Sequence, residues 1–117
     1  MLTNAYVTTI LEAIRAECYL GLHFDDPELA GHYASECSGG GYKRVQAFFT
    51  ETASRNIWLE EPVLFTGMLP TRVTHIGGWN KIKDGDLMFQ AKLPSPWNIV
   101  NGGGMQLVTG DVVVSIV

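Results

Sequence analysis

The chain has 117 residues, of which 46% are hydrophobic and 17% are charged, and its formal net charge is −4. This length is typical of one domain with a single core, and the few scattered Lys and Arg residues argue against a nucleic-acid surface. No apolar run approaches the roughly 20 residues that span a bilayer, and no secretory signal precedes the first element. We therefore expect one domain, residues 1–117, that binds neither nucleic acid nor membrane.

The first predicted element is an amphipathic helix over residues 4–16. Val7, Ile10, Leu11 and Ile14 follow each other at helical spacing and form one apolar stripe. Thr3 or Asn4 can cap its first turn. A helix this short is marginal alone, so we expect its apolar face to pack on a sheet.

The rest of the chain alternates apolar and polar residues in short runs, as strands do. Asp84-Gly85 is a hairpin signal, and Pro94-Ser95-Pro96 is expected to end a strand. Seven or eight strands at a spacing of roughly 8–12 residues favour a mainly β fold, a two-sheet β-sandwich or jelly-roll-like domain behind the helix. Strands are predicted at 18–23, 44–50, 57–59, 63–65, 72–79, 87–93, 105–109 and 112–117.

A long irregular connection over residues 24–41 interrupts this pattern. It contains Asp25-Asp26-Pro27 and later Ser38-Gly39-Gly40-Gly41. Structureless connections of this length are uncommon in compact domains and often carry contacts. We predict that this loop is the principal partner-binding segment and that it is mobile in the free protein.

No metal or cofactor site is expected. His23, His32 and Asp25-Asp26 could suggest a metal, but Asp25-Asp26-Pro27 is more simply a turn, and nothing places the two histidines together. Gly39–Gly41 would need to lead into a helix to cradle phosphate, and a strand-like segment follows instead.

No catalytic residue is expected either. His75 with Cys18 or Cys37 and Asp25 makes only a formal triad, of the kind that any such composition offers by chance. Adjacent carboxylates such as Glu60-Glu61 point to opposite faces of a strand. Two dissimilar cysteines are expected to remain free thiols in a reducing cytoplasm. The sequence therefore predicts a protein that is not an enzyme.

The three tryptophans are candidate anchors. Trp79 lies in a well-patterned strand and is expected in the core, whereas Trp58 and Trp97 flank prolines in segments expected to be irregular. Glycan stacking at Trp97 and Asn98 is the rival explanation. The interface candidates are Asp25, Asp26, Gly39, Gly40, Gly41, Tyr42, Trp58, Trp97 and Asn98.

Five distinctive motifs follow one another along the chain: CYLGLHFDDP at 18–27, ECSGGGYKR at 36–44, THIGGWN at 74–80, GDLMFQAKLP at 85–94 and TGDVVVSIV at 109–117. In their order and spacing they resemble a family of small tailed-bacteriophage virion proteins commonly labelled phage tail fibre or minor tail proteins. The resemblance covers nearly the whole chain.

The resemblance implies a non-enzymatic structural component of the virion, assembled in the host cytoplasm. Its expected partners are copies of itself and other phage tail or capsid proteins. Two alternatives stay open: a capsid decoration protein that stabilises the head shell, and a carbohydrate-binding module of a receptor-binding fibre.

Overall fold

The computed structural model describes residues 2–116 and is mainly β with one long N-terminal helix, which confirms the predicted fold class. Val117, the last residue of the predicted closing strand, lies outside the described residues. The elements are α1 (Asn4–Ala16), β1 (Tyr19–His23), α2 (Pro27–Ala30), β2 (Val45–Gln46), β3 (Asn56–Trp58), β4 (Val63–Met68), β5 (Thr71–Trp79), β6 (Leu87–Ile99), β7 (Gly103–Leu107) and β8 (Val113–Ser115).

Helix α1 has the predicted bounds. Thr3 is its N-cap, and the Thr3 hydroxyl accepts a hydrogen bond from the Tyr6 amide at 3.3 Å. Val7 and Leu11 are buried and Ile14 packs against the same core, so the predicted stripe faces inward. No helix within residues 2–116 is long and apolar enough to cross a membrane.

Four strands form an antiparallel sheet in the order β2-β1-β5-β6. Leu20 and Leu22 of β1 stand on the face that contributes Ile76 of β5 to the hydrophobic core. His23 and Trp79 stand on the opposite face, because side chains alternate along a strand. Both faces of β1 are buried, so something other than the core must cover the second face.

A register shift in β5 corrects the predicted facing of that strand. Simple alternation would put Val73, His75 and Trp79 on one face. The pairing with β6 shifts between Val73 and His75, and Val73 joins Ile76 in the core, while His75 and Trp79 belong to the second face. Thr74 is the unpaired bulge residue. An extra residue of this kind turns the side chains that follow it to the opposite face of the sheet.

The prolines of β6 do not end the strand, contrary to the prediction. The strand runs on to Ile99, and the ladder with β5 moves from His75↔Lys92 to Val73↔Trp97. The four residues 93–96 therefore lie opposite one residue of β5. Proline cannot donate to a ladder, so a bulge is where a strand tolerates it.

Two two-stranded ribbons, β3–β8 and β4–β7, complete the fold. Their inward side chains, among them Ile57, Phe65 and Met105, join α1 and the first face of the sheet in one hydrophobic cluster. The arrangement is compatible with the predicted β-sandwich.

The connection over residues 24–41 folds back along β1. It contains one helical turn, α2, and the Cys37 amide donates to the Leu22 carbonyl at 2.9 Å. The Phe24 amide donates to the Ser35 carbonyl at 2.9 Å. Farther along this segment, Arg44 lies over the second face of the sheet, against Trp79.

Arg55 joins the two ends of the described chain. Its Nε donates to the Ile116 carbonyl at 3.0 Å and its Nη2 to the Leu2 carbonyl at 3.1 Å. Its Nη1 donates to the Asn4 side chain. One guanidinium thus holds the start of α1 beside the residue that follows β8.

Candidate functional site: a buried polar cluster and the surfaces beside it

The most distinctive sequence segment, Glu36–Arg44, forms a buried polar cluster on the second face of the sheet. The Arg44 side chain is only 4% exposed, and its guanidinium carbon lies 3.6 Å from the centroid of the Trp79 ring. A cation placed over an indole face in this way is attracted by the ring. The segment therefore covers the face that the core leaves open.

Every nitrogen of the Arg44 guanidinium has an acceptor. Nε and Nη2 donate to the two carboxylate oxygens of Glu36, both at 2.8 Å. Nη1 donates to the backbone carbonyls of Lys81 at 3.0 Å and Asp84 at 2.6 Å. The forked pair joins Glu36 and Arg44 in the geometry at which Arg–carboxylate pairs are strongest. The two Nη1 bonds tie this segment to the β5–β6 connection.

Tyr42 extends the cluster toward β1. Its hydroxyl donates to Glu36 Oε2 at 2.6 Å and accepts from the Leu22 amide at 3.0 Å. Burial, together with the nearby Glu36 carboxylate, raises the pKa of Tyr42. The ring stacks on Phe65 with centroids 6.2 Å apart, so Tyr42 bridges the cluster and the hydrophobic core.

His23 stacks on Trp79, with ring centroids 5.9 Å apart and planes 6° apart. Its Nδ1 lies 2.9 Å from Ser35 Oγ, and its Nε2 is buried without a hydrogen-bond partner within the described residues. Burial lowers the pKa of His23 to about 4. The nearby charge of Glu36 raises this pKa, whereas the charges of Arg44 and His75 lower it. The imidazole is therefore neutral at pH 7.

Glycines in the strands make room for these side chains. A Cβ on Gly21 would lie 2.9 Å from Glu36 Oε2 and 3.0 Å from the Tyr42 hydroxyl. A Cβ on Gly77 would lie 2.5 Å from Nε2 of His23. Any side chain at either position would displace the cluster.

The cluster contains a serine–histidine contact that the sequence patterns did not reveal. His23 and Ser35 touch as a nucleophile and base would, but both residues are 0% exposed, so a substrate has no access to them. Burial raises the pKa of Cys18 to about 12 and also that of Cys37, which keeps both thiols protonated.

Cys18 and Cys37 are both buried, free thiols. His32 pairs with Glu28 at 2.9 Å on the surface, whereas His23 is buried in the cluster. Among residues 2–116 no group of three or more His, Cys, Asp or Glu side chains is arranged to hold a metal ion.

The interface candidates between residues 24 and 42 lie at three kinds of position. The Asp26 side chain caps α2 by accepting from the Glu28 amide, while Asp25 is exposed. The exposed run Gly39–Gly41 packs on the end of β4 and the turn that follows it, and the Gly41 amide donates to the carbonyl of Gly67 in β4 at 2.7 Å. The Tyr42 hydroxyl is engaged inside the cluster.

Both tryptophan candidates stand in strands. Trp58 lies where a strand was predicted at 57–59, whereas the strand at Trp97 corrects the expectation of an irregular segment. Trp58 is half-buried in β3, and Trp97 is 48% exposed in β6. Trp97 and Asn98 are consecutive residues of one strand and pair with Val73 and Arg72, so their side chains point to opposite faces. A ligand on the Trp97 ring would not meet Asn98.

Comparison with known proteins supports a virion role. The family described as podophage GP4 fiber I protein gp80 matches residues 1–115. No curated protein is significantly similar to the chain. The family match agrees with the resemblance to phage tail fibre proteins. The chain therefore belongs to the podophage fiber I protein family and is a structural component of a tailed-phage virion.

Proposed function

We propose that the protein is a non-enzymatic fibre subunit that assembles with copies of itself and with neighbouring virion proteins. The observation that carries this proposal is an apolar surface formed by the 24–41 segment and the β4–β5 turn. Phe24 and Leu69 are each 47% exposed, and both line a shallow groove with Ser38 and Pro70. We call these four residues the Phe24–Leu69 surface.

The Phe24–Leu69 surface is held in place from below. Leu69 rests against the glycine run, since a Cβ on Gly39 would lie 2.6 Å from Leu69 Cδ1. Met68, at the floor of the groove, is buried in the core. Exposed apolar side chains on a rigid base are typical of protein contact sites. The family match favours assembly in a fibre over assembly on the capsid as a decoration protein.

Incorporation into particles tests the proposal. Phage carrying Phe24→Ser and Leu69→Ser should yield virions with strongly reduced occupancy of the protein, measured by quantitative mass spectrometry of purified particles. Tyr6→Ser is the matched control, because Tyr6 is 59% exposed on α1, and it should leave occupancy normal. Normal occupancy of the double variant would contradict the assignment of the contact surface.

Sedimentation of the purified protein tests self-association separately. We expect species larger than 12.8 kDa at high concentration, and we expect the double variant to shift the equilibrium toward monomer. A wild-type protein that sediments only as a monomer up to millimolar concentration would argue against self-association.

A further inference from the structure

A groove beside Trp97 forms a second surface, separate from the Phe24–Leu69 surface. It has a volume of about 490 Å³ and lies along the β4–β7 ribbon. Volumes of this size are common for small-molecule sites. Its lining includes Leu64, Thr66, Trp97, Gln106 and the glycine run 102–104.

A β-bulge fixes the indole of Trp97 at the wall of this groove. Pairing between β4 and β7 shifts after Phe65, so that Thr66 and Gly67 face Gly104 alone. The Trp97 indole N–H donates to the Gly104 carbonyl at 3.2 Å. The hydrogen bond orients the ring, and 48% of the residue remains exposed to solvent. Bulges commonly re-aim groups in this way beside functional sites.

The floor of the groove is bare backbone. A Cβ on Gly104 would lie 1.6 Å from the Phe65 carbonyl oxygen, so this position accepts only glycine. Gly102 has φ +78°, and Gly103 continues the run. Three consecutive residues without side chains let a flat ligand approach both the main chain and the indole.

The polar groups of the groove are uncharged. Thr66 supplies a hydroxyl and Gln106 a carboxamide, both on exposed residues, and no Asp, Glu, Lys, Arg or His lines the groove. A charged ligand would lose hydration there without gaining a counter-charge. Leu64, which is 57% exposed, is the other exposed apolar side chain of the lining besides Trp97.

We propose that the groove beside Trp97 binds a neutral oligosaccharide. The apolar C–H face of a pyranose ring packs on the oriented indole, and its hydroxyls exchange hydrogen bonds with Thr66, Gln106 and the glycine backbone. The site does not involve the Phe24–Leu69 surface, so it can be present whether or not that surface mediates assembly.

Titration of the intact protein with defined probes tests the site. The neutral probes are maltohexaose, cellohexaose, laminarihexaose and chitohexaose. The comparison probes are an oligogalacturonate and the uncharged peptide acetyl-(Thr-Val)4-amide. The readout is the ¹⁵N–¹H signal of the Trp97 indole, assigned by its loss in Trp97→Phe. We expect at least one neutral hexasaccharide to shift this signal saturably.

Variants separate stacking from general stability. Trp97→Ala should weaken binding at least about tenfold, Gln106→Ala several-fold, and Trp97→Tyr less than Trp97→Ala because a ring remains. Trp58→Phe, in β3, should bind as the wild type does. The proposal is overturned if none of the four neutral probes binds, if only the peptide or the oligogalacturonate shifts the signal, or if Trp97→Tyr binds no better than Trp97→Ala.

Discussion

Arg44 is the residue on which the cover of the second sheet face depends most. Its buried guanidinium contacts Glu36, Trp79 and two backbone carbonyls, so its removal would leave a carboxylate with little solvent and no cation. A buried ion pair adds little net stability when intact, but its disruption is costly because one charge stays behind.

We expect Arg44→Met to lower the free energy of unfolding by about 3–5 kcal/mol. The matched control is Arg15→Met, which removes the cation of the partly exposed Arg15–Glu12 pair and should cost only about 1 kcal/mol or less. Urea unfolding followed by tryptophan fluorescence measures both. Equal losses would show that burial of the cluster does not govern its energetics.

His23 should make stability depend on pH. An unfolded histidine has a pKa near 6.5, whereas burial holds the folded pKa of His23 at about 4. As the pH falls from 6.5 to 4, His23 therefore becomes protonated in the unfolded chain while it stays neutral in the folded protein. The contribution of neutral His23 to the free energy of unfolding is fully present above pH 6.5. It is lost as the pH falls from 6.5 to 4, and the total loss is about 3 kcal/mol.

Urea unfolding at pH 7, 5.5 and 4.5 checks this expectation. His23→Asn should be less stable than the wild type at pH 7 and should lose less stability on acidification, because the titrating group is gone. His32, His75 and the carboxylates remain in both proteins, so only the difference between the two pH profiles is assigned to His23. Parallel profiles would contradict the assignment.

Sequence patterns located the cluster but did not explain it. Glu36–Arg44 stood out as a motif, and Trp79 was expected to be buried. The contact between them depends on the fold-back of the 24–41 segment, which no local periodicity encodes. The Ser35–His23 contact escaped notice for the same reason, since 12 residues separate the pair.

At the scale of elements, α1 follows its local signals most closely. Its stripe, its cap and its bounds were all predicted, because helix periodicity and capping are properties of neighbouring residues. Residues 74 and 93–96 were predicted less well. Bulges there reverse the facing of β5 and carry β6 past its prolines, and they arise from pairing between distant strands.

The cap of α1 should be measurable. Thr3→Ala removes the hydroxyl that accepts from the Tyr6 amide and should lower the free energy of unfolding by about 1 kcal/mol. Thr8→Ala, at an exposed position within the helix, should be neutral or slightly stabilising because alanine has the higher helix propensity. Thermal unfolding by circular dichroism distinguishes them, and similar effects of the two variants would argue against the cap.

At the scale of the whole molecule, the mainly β class and the virion family could be predicted because composition, strand spacing and the order of the motifs are global properties. The sequence could not predict which residues share one surface of the folded protein. Trp97 and Asn98 seemed one site in sequence and lie on opposite faces of β6, whereas Thr66 and Gln106, distant in sequence, share the groove with Trp97.

Reductants and chelators should leave the melting temperature unchanged. Cys18 and Cys37 are free and buried, and no metal-binding group is arranged among the described residues. Calorimetry with and without dithiothreitol or EDTA measures this. A drop of several degrees with either reagent would reveal a bridge or an ion that contributes to folding.

Arg55 donates hydrogen bonds to the carbonyls of both Leu2 and Ile116, so the two ends of the described chain lie close together. Any tether joined at either end leaves the molecule from the same point. A short linker between the ends would permit circular permutation, with new ends opened in an exposed turn such as the one at Gly110. A force that pulls residues 2 and 116 apart would first act on the hydrogen bonds of the Arg55 side chain. It would then detach α1 and β8 before it acted on the four-stranded sheet.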